Sequence, residues 1–76
     1  MKNLIEMLVK ALVDEQDHVE VVEVSRDDSI TYRVHVAPGD LGKVIGKDGK
    51  IANALRTVAK AAAMKGGKKV FVDIVS

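Results

Sequence analysis

The chain has 76 residues, which is enough for one small domain with a thin core. It contains no cysteine, so a disulfide staple, a thiolate metal site and a Cys nucleophile are all excluded. The formal net charge is only +1, but the charges are unevenly spread: residues 1–38 carry four Lys/Arg against eight acids, and residues 39–69 carry eight Lys/Arg against Asp40 and Asp48.

Residues 3–14 are predicted to form an amphipathic helix, because Leu4, Ile5, Leu8, Val9 and Leu12 recur at three- and four-residue spacing. Asn3 is placed to cap it, with Glu6 completing a capping box. A polar connector follows at residues 14–17, whose acids read as solvated loop charge. Val19, Val21, Val22 and Val24 then form a β-branched run, and the slip between Val21 and Val22 predicts a bulge or an early change of face. Residues 25–29 read as a hairpin loop. Ile30, Tyr32, Val34 and Val36 alternate with Thr31, Arg33 and His35, the cleanest strand signal in the chain.

Ala37-Pro38-Gly39-Asp40 stops this strand, and Asp40 is expected to cap a short helix running to Ile45. After Gly46-Lys47-Asp48-Gly49 a longer helix is predicted to about Met64, with Ile51, Leu55, Val58, Ala59 and Ala62 on one face and Asp48 as its N-cap. Gly66-Gly67 is expected to end it in left-handed fashion, and Lys68-Lys69 leads into a last strand at residues 70–75. The order is α-β-β-α-α-β. It implies an α+β domain in which a three-stranded mixed sheet is covered on one face by three helices.

The stretch from Gly42 to Lys50 stands out. Two glycines separated by Lys47 and Asp48 make a tight turn between helices, at the start of the longer one. Backbone N–H groups and the positive end of a helix dipole attract an anion there. Lys43, Lys47 and Lys50 add mobile positive charge, and the turn falls inside the basic segment. A simple helix connection is the plain alternative.

Val44-Ile45-Gly46-Lys47-Asp48-Gly49 resembles the (V/I)-I-G-x-x-G signature of the KH domain. The element order resembles the type II arrangement of that domain, and the likeness covers residues 1–76 as a single KH domain. Within it, the chain is similar to the small bacterial single-KH proteins of the KhpA family, also called YlqC. The resemblance implies binding of single-stranded RNA without catalysis, as an RNA chaperone or post-transcriptional regulator. The loop would hold the sugar-phosphate backbone of about four nucleotides. Carried onto this chain, Gly46, Lys47, Asp48 and Gly49 form that loop, Lys43 and Lys50 flank it, and Arg56 lies further along the long helix. Val44, Ile45, Ile51 and Leu55 lie near it, divided between an apolar groove and the core. The resemblance further implies a homodimer, and pairing with a larger KH-containing protein of the Jag or KhpB type, linked to envelope, shape and division control in some bacteria. An adapter acting mainly through such protein contacts is the alternative function. Asp48, a negative charge in a phosphate loop, reads as tuning.

Other features read more plainly. Lys60 fits solvated charge, and Lys65, Lys68 and Lys69 a basic helix end, with a weak nucleic-acid contact as the lesser alternative for those three. His18 and His35 lack further ligands for a metal, and no cofactor is expected. Tyr32 and Phe71 are too few to make an aromatic stacking platform. Six alanines between Ala52 and Ala63 give the long helix a small-sided face that suits close helix packing, within the domain or in a homodimer. The N-terminus does not read as a signal peptide, and no apolar run reaches the roughly 20 residues a membrane helix needs, so a soluble cytoplasmic protein is expected.

Overall fold

The computed structural model describes residues 1–63 and 67–76. The elements are α1 (Lys2–Lys10), β1 (Glu20–Ser25), β2 (Ser29–His35), α2 (Leu41–Ile45), α3 (Lys50–Ala63) and β3 (Lys69–Val75), with short 3₁₀ turns before β1, α2 and α3. The expected α-β-β-α-α-β order is present. The predicted helix end near Met64, and Lys65 and Gly66 with it, lie outside the described residues; Gly67 has the expected left-handed backbone, with φ 70.

β2 is the central strand. It pairs antiparallel with β1 and parallel with β3, so the sheet is mixed. A hairpin makes the first pairing, whereas the second needs a long crossover, which α2 and α3 supply. Alternation along β3 shows how the sheet is covered: Val70 and Val72 are buried, while Lys69, Phe71 and Asp73 are exposed. Val21, Tyr32, Val34, Val70 and Val72 meet Ile5 and Val9 of α1, Val44 of α2, and Leu55 and Ala59 of α3. All three helices therefore lie on one face of the sheet.

Several local expectations are corrected. The β1–β2 register runs one to one from Glu20↔His35 to Ser25↔Ile30, so no bulge separates Val21 from Val22. Val22 and Val24 are the residues of the opposite, helix-free face. Helix α1 starts at Lys2, which puts Asn3 inside it; Met1 holds the cap position without a side-chain hydrogen bond, and Glu6 pairs with Lys10 at 3.1 Å instead of closing a capping box. Helix α1 also ends at Lys10, four residues early. Only Ile5, Val9 and partly buried Leu8 of its stripe reach the core, and Leu4 and Leu12 stay exposed.

Asp40 explains that early end. It occupies the cap position of α2 but makes no capping bond. Its carboxylate is 3 % exposed and accepts the N–H groups of Asp14 at 3.3 Å and Glu15 at 2.9 Å. Those amides would point back along α1 if the helix continued. A buried carboxylate requires such partners, and Asp40 takes them from the α1–β1 connector. The Glu15 amide, then that of Asp14 and the charge of Lys43, hold the Asp40 carboxyl below the ordinary carboxylate range, against the opposing effect of burial.

Candidate nucleic-acid interface

Helix α2 delivers the glycine loop. Val44 is completely buried and Leu41 partly so, and this pair three residues apart seats α2 against the core. Of the four apolar residues near the loop, Val44 therefore belongs to the core and does not face a groove. Leu55 is core as well, while Ile45 and Ile51 are half-buried beside the loop.

The loop itself holds three left-handed residues in four. Gly46 has φ 77 and ψ 173, Asp48 has φ 58 and ψ 24, and Gly49 has φ 74. This conformation is easy for glycine and uncommon for any other residue. The N–H of Gly46 donates to the Gly42 carbonyl at 2.9 Å, and that of Gly49 to the Gly46 carbonyl at 3.2 Å. The two glycine amides are therefore used within the turn. The loop instead presents the exposed side chains of Lys47 and Asp48, followed by exposed Lys50 at the start of α3. Asp48 is not the N-cap that the sequence predicts: its backbone is left-handed, and its carboxylate accepts no hydrogen bond among the described residues.

Lys43 turns away from the loop. Its ammonium pairs with Asp14 and lies 3.5 Å from Asp40 Oδ1. The Asp14 contact, the larger influence, raises the Lys43 pKa and keeps it charged. The acids at residues 14 and 15 are thus more than solvated loop charge: one supplies an ion pair and both supply amides to Asp40.

Helical spacing lines up Gly49, Asn53, Arg56 and Lys60 on the side of α3 that borders β3. Arg56 Nε donates to the Val72 carbonyl at 3.3 Å and its Nη1 to Asn53 Oδ1 at 3.1 Å. The Val72 carbonyl points to the free edge of the sheet. The N–H of Lys69 bonds the Asp28 carbonyl at 3.0 Å and the Val75 carbonyl takes the Val36 N–H at 3.1 Å, so odd-numbered residues of β3 face β2 and even-numbered ones face outward. Farther along, Lys60, Lys68, Lys69, Val70 and Phe71 line a hollow of about 340 Å³. Sequence reasoning misses Asn53, although its spacing, four residues after Gly49 and three before Arg56, is a readable signal. Convergence of Lys60 with Lys68 and Lys69 has no local signal, since the crossover brings them together.

The family described as KhpA/KhpB, KH domain, matches residues 2–74. The chain belongs to this family. Among its relatives, the RNA-binding protein KhpA of Clostridium acetobutylicum is 55% identical over 75 residues, which cover 99% of this chain and 100% of that protein. The protein of the same name from Clostridium perfringens is 53% identical with the same coverage, and that of Aquifex aeolicus is 43% identical over 99% of this chain and 95% of its own. No solved structure matches the chain. The KH assignment agrees with the mixed three-stranded sheet and places the Gly46–Gly49 turn between the two helices of the crossover. Among the described residues, no helix is long and apolar enough to cross a membrane, and no group of three His, Cys, Asp or Glu could hold a metal ion.

Proposed function

We propose that this KH domain is a cytoplasmic single-stranded RNA-binding module without catalytic activity, acting as an RNA chaperone or post-transcriptional regulator. The observation that carries the reading is the loop: a left-handed turn that lifts Lys47 clear of the surface, next to exposed Lys50, in the position of the family's signature. Phosphates rest at Lys47 and Lys50, the close approach of the strand is allowed by Gly46 and Gly49, and Asp48 moderates affinity. The bases follow the strip between α3 and the free edge of β3, past half-buried Ile45 and Arg56. Lys43 contributes less, because Asp14 and Asp40 compete for it.

Lys47→Asp tests this reading in a gel-shift or polarisation assay with mixed-sequence single-stranded RNA. Binding should be largely lost while the circular dichroism spectrum is unchanged. Wild-type affinity should fall as salt rises, with a slope of about −0.7 per phosphate neutralised. A Lys47→Asp variant that binds like wild type removes the loop from the mechanism.

A second reading rests on a separate surface. Leu8, Leu12, Ile51, Ala54 and Val58 line an apolar groove of about 310 Å³ between α1 and α3, and Leu4 and Met7 are exposed nearby on α1. We infer that this face joins two copies of the chain. Of the small-sided residues, Ala52 and Ala59 are spent in the core, while Ala54, Ala61 and Ala62 remain exposed. Sedimentation showing only monomer at micromolar concentration removes the homodimer, and mixing with a larger KH protein of the Jag or KhpB type then tests that partner.

A further inference from the structure

We propose that Phe71, with Lys60, Lys68 and Lys69, forms a nucleobase subsite at the start of β3, which takes a nucleotide of the RNA strand beyond those held at the glycine loop. This rests on the RNA-binding reading above and extends the path of the strand.

Phe71 is an unusual residue to leave in the open. Its neighbours Val70 and Val72 are buried on the helix side of the sheet, and strand alternation turns the ring to the other side, where it is 50% exposed. Tyr32, the only other aromatic residue, is buried and cannot stack on a base. A single exposed ring beside cations has the chemistry of a single-strand contact: the ring offers a stacking face to any base, and the ammonium groups meet the phosphates on either side. A lone ring supplies one stacking position rather than a platform.

The cations come from three places in the chain. Lys60 arrives from α3, Lys68 from the approach to β3, and Lys69 from the first position of β3, and all three line the hollow with Phe71. Lys68 Nζ reaches the Ser25 hydroxyl at 3.4 Å, a neutral partner. Among the described residues no ion pair engages any of the three. Asp28, whose carbonyl takes the Lys69 amide, and Asp73 on the exposed face of β3 are near, but neither pairs with the three lysines among the described residues, so the repulsion among the lysines is left for a polyanion to relieve. Lys60 stands ten residues beyond Lys50, about 15 Å along the axis of α3. Gly49, Asn53, Arg56 and Lys60 connect the two ends on one side of the helix, so a strand leaving the loop beside β3 arrives at the hollow and reaches the Phe71 ring by passing round the free edge of β3.

The test uses the full chain and mixed-sequence single-stranded RNA of about ten nucleotides, longer than the roughly four that a KH loop clamps. Phe71→Ala should weaken binding about tenfold, as expected for loss of one stacked base. Phe71→Leu should not restore it, and Phe71→Trp should. The Trp variant carries the chain's only tryptophan, and RNA should quench its fluorescence. Lys60→Gln with Lys69→Gln should make the salt slope shallower by about 0.7 for each phosphate no longer neutralised. If Phe71→Ala and Phe71→Leu bind like wild type while Lys47→Asp does not, the subsite is wrong and the loop reading stands. If Phe71→Ala instead lowers the sedimenting mass and leaves RNA affinity unchanged, the ring belongs to a protein contact and the subsite is again wrong. If wild type binds no RNA, both readings fall.

Discussion

Ile51 fills the space that a side chain on Gly46 would need. A Cβ placed on Gly46 would come within 2.7 Å of Ile51 Cγ1, on a backbone with φ 77. Gly49 differs: its φ is 74, but the nearest atom to an added Cβ is Asn53 Nδ2 at 3.9 Å. The two glycines of the signature are therefore needed for different reasons. Gly49→Ala should cost about 1–2 kcal/mol, the penalty of a left-handed Ala alone. Gly46→Ala should cost about 1–3 kcal/mol more, from overpacking. Adding Ile51→Ala to Gly46→Ala should make the two changes less than additive, because it removes the Cγ1 and Cδ1 contacts and leaves only the Cβ contact at 2.9 Å. Urea unfolding of the four variants checks the ranking, and equal losses at Gly46 and Gly49 contradict it.

Asp48 holds a left-handed backbone without a capping bond to justify it. Asp48→Gly relieves that conformation but gains chain entropy in the unfolded state, so stability should change by less than about 1 kcal/mol. RNA affinity should rise, because the substitution also removes the loop's negative charge. Asp48→Asn should raise affinity to a similar degree, since it changes the charge and keeps the shape. Affinity titrations at low salt measure both variants, and unchanged binding in both means the carboxylate does not face the strand.

Acid should loosen the contact between the α1–β1 connector and α2. The Asp40 carboxyl is held below its ordinary range by the amides of Glu15 and Asp14 and by Lys43. A lowered carboxyl pKa stabilises the fold above the unfolded value, and that contribution is lost as pH falls below about 4. Thermal melts between neutral and acid pH should show the fall. Asp40→Asn should melt lower than wild type at neutral pH and should lose less on acidification, because it has no charge left to titrate.

Lys43 is held by Asp14 and Asp40, and on the RNA-binding reading a phosphate competes with them for its charge. Asp14→Asn removes its exposed partner, whose side chain is 80% accessible. The lost ion pair should cost the fold little, as for most exposed pairs, and RNA binding should tighten at low salt. Lys43→Gln should weaken wild-type binding less than Lys47→Gln does, and should cancel the gain from Asp14→Asn. A double-mutant cycle on RNA affinity measures this coupling.

The strands and helices are legible in the sequence because periodicity reports local burial. Ile30, Tyr32 and Val34 alternate, and β2 lies where that alternation places it. The glycine loop is legible because its two glycines mark a backbone few other residues tolerate. Asp40 misleads because capping is a local rule, whereas its partners lie 25 and 26 residues away in sequence. Val44 misleads because it is the first residue of the signature: a five-residue helix needs an anchor, and Leu41 with Val44 provides it. The pairing of Lys43 with Asp14, and the meeting of Lys60 with Lys68 and Lys69, follow from how the crossover passes over the sheet. No window of a few residues contains that information.

On the proposed RNA-binding reading, Arg56 has two employers. The N–H that it gives to the Val72 carbonyl shields the outer border of the sheet, where a strand from another molecule would otherwise find a bonding partner. An incoming phosphate that draws the guanidinium to itself uncovers that carbonyl. On that reading ligand occupancy would govern the tendency of the sheet to recruit a neighbour through one side chain, and a chain lacking it should self-associate by strand addition even with no nucleic acid present.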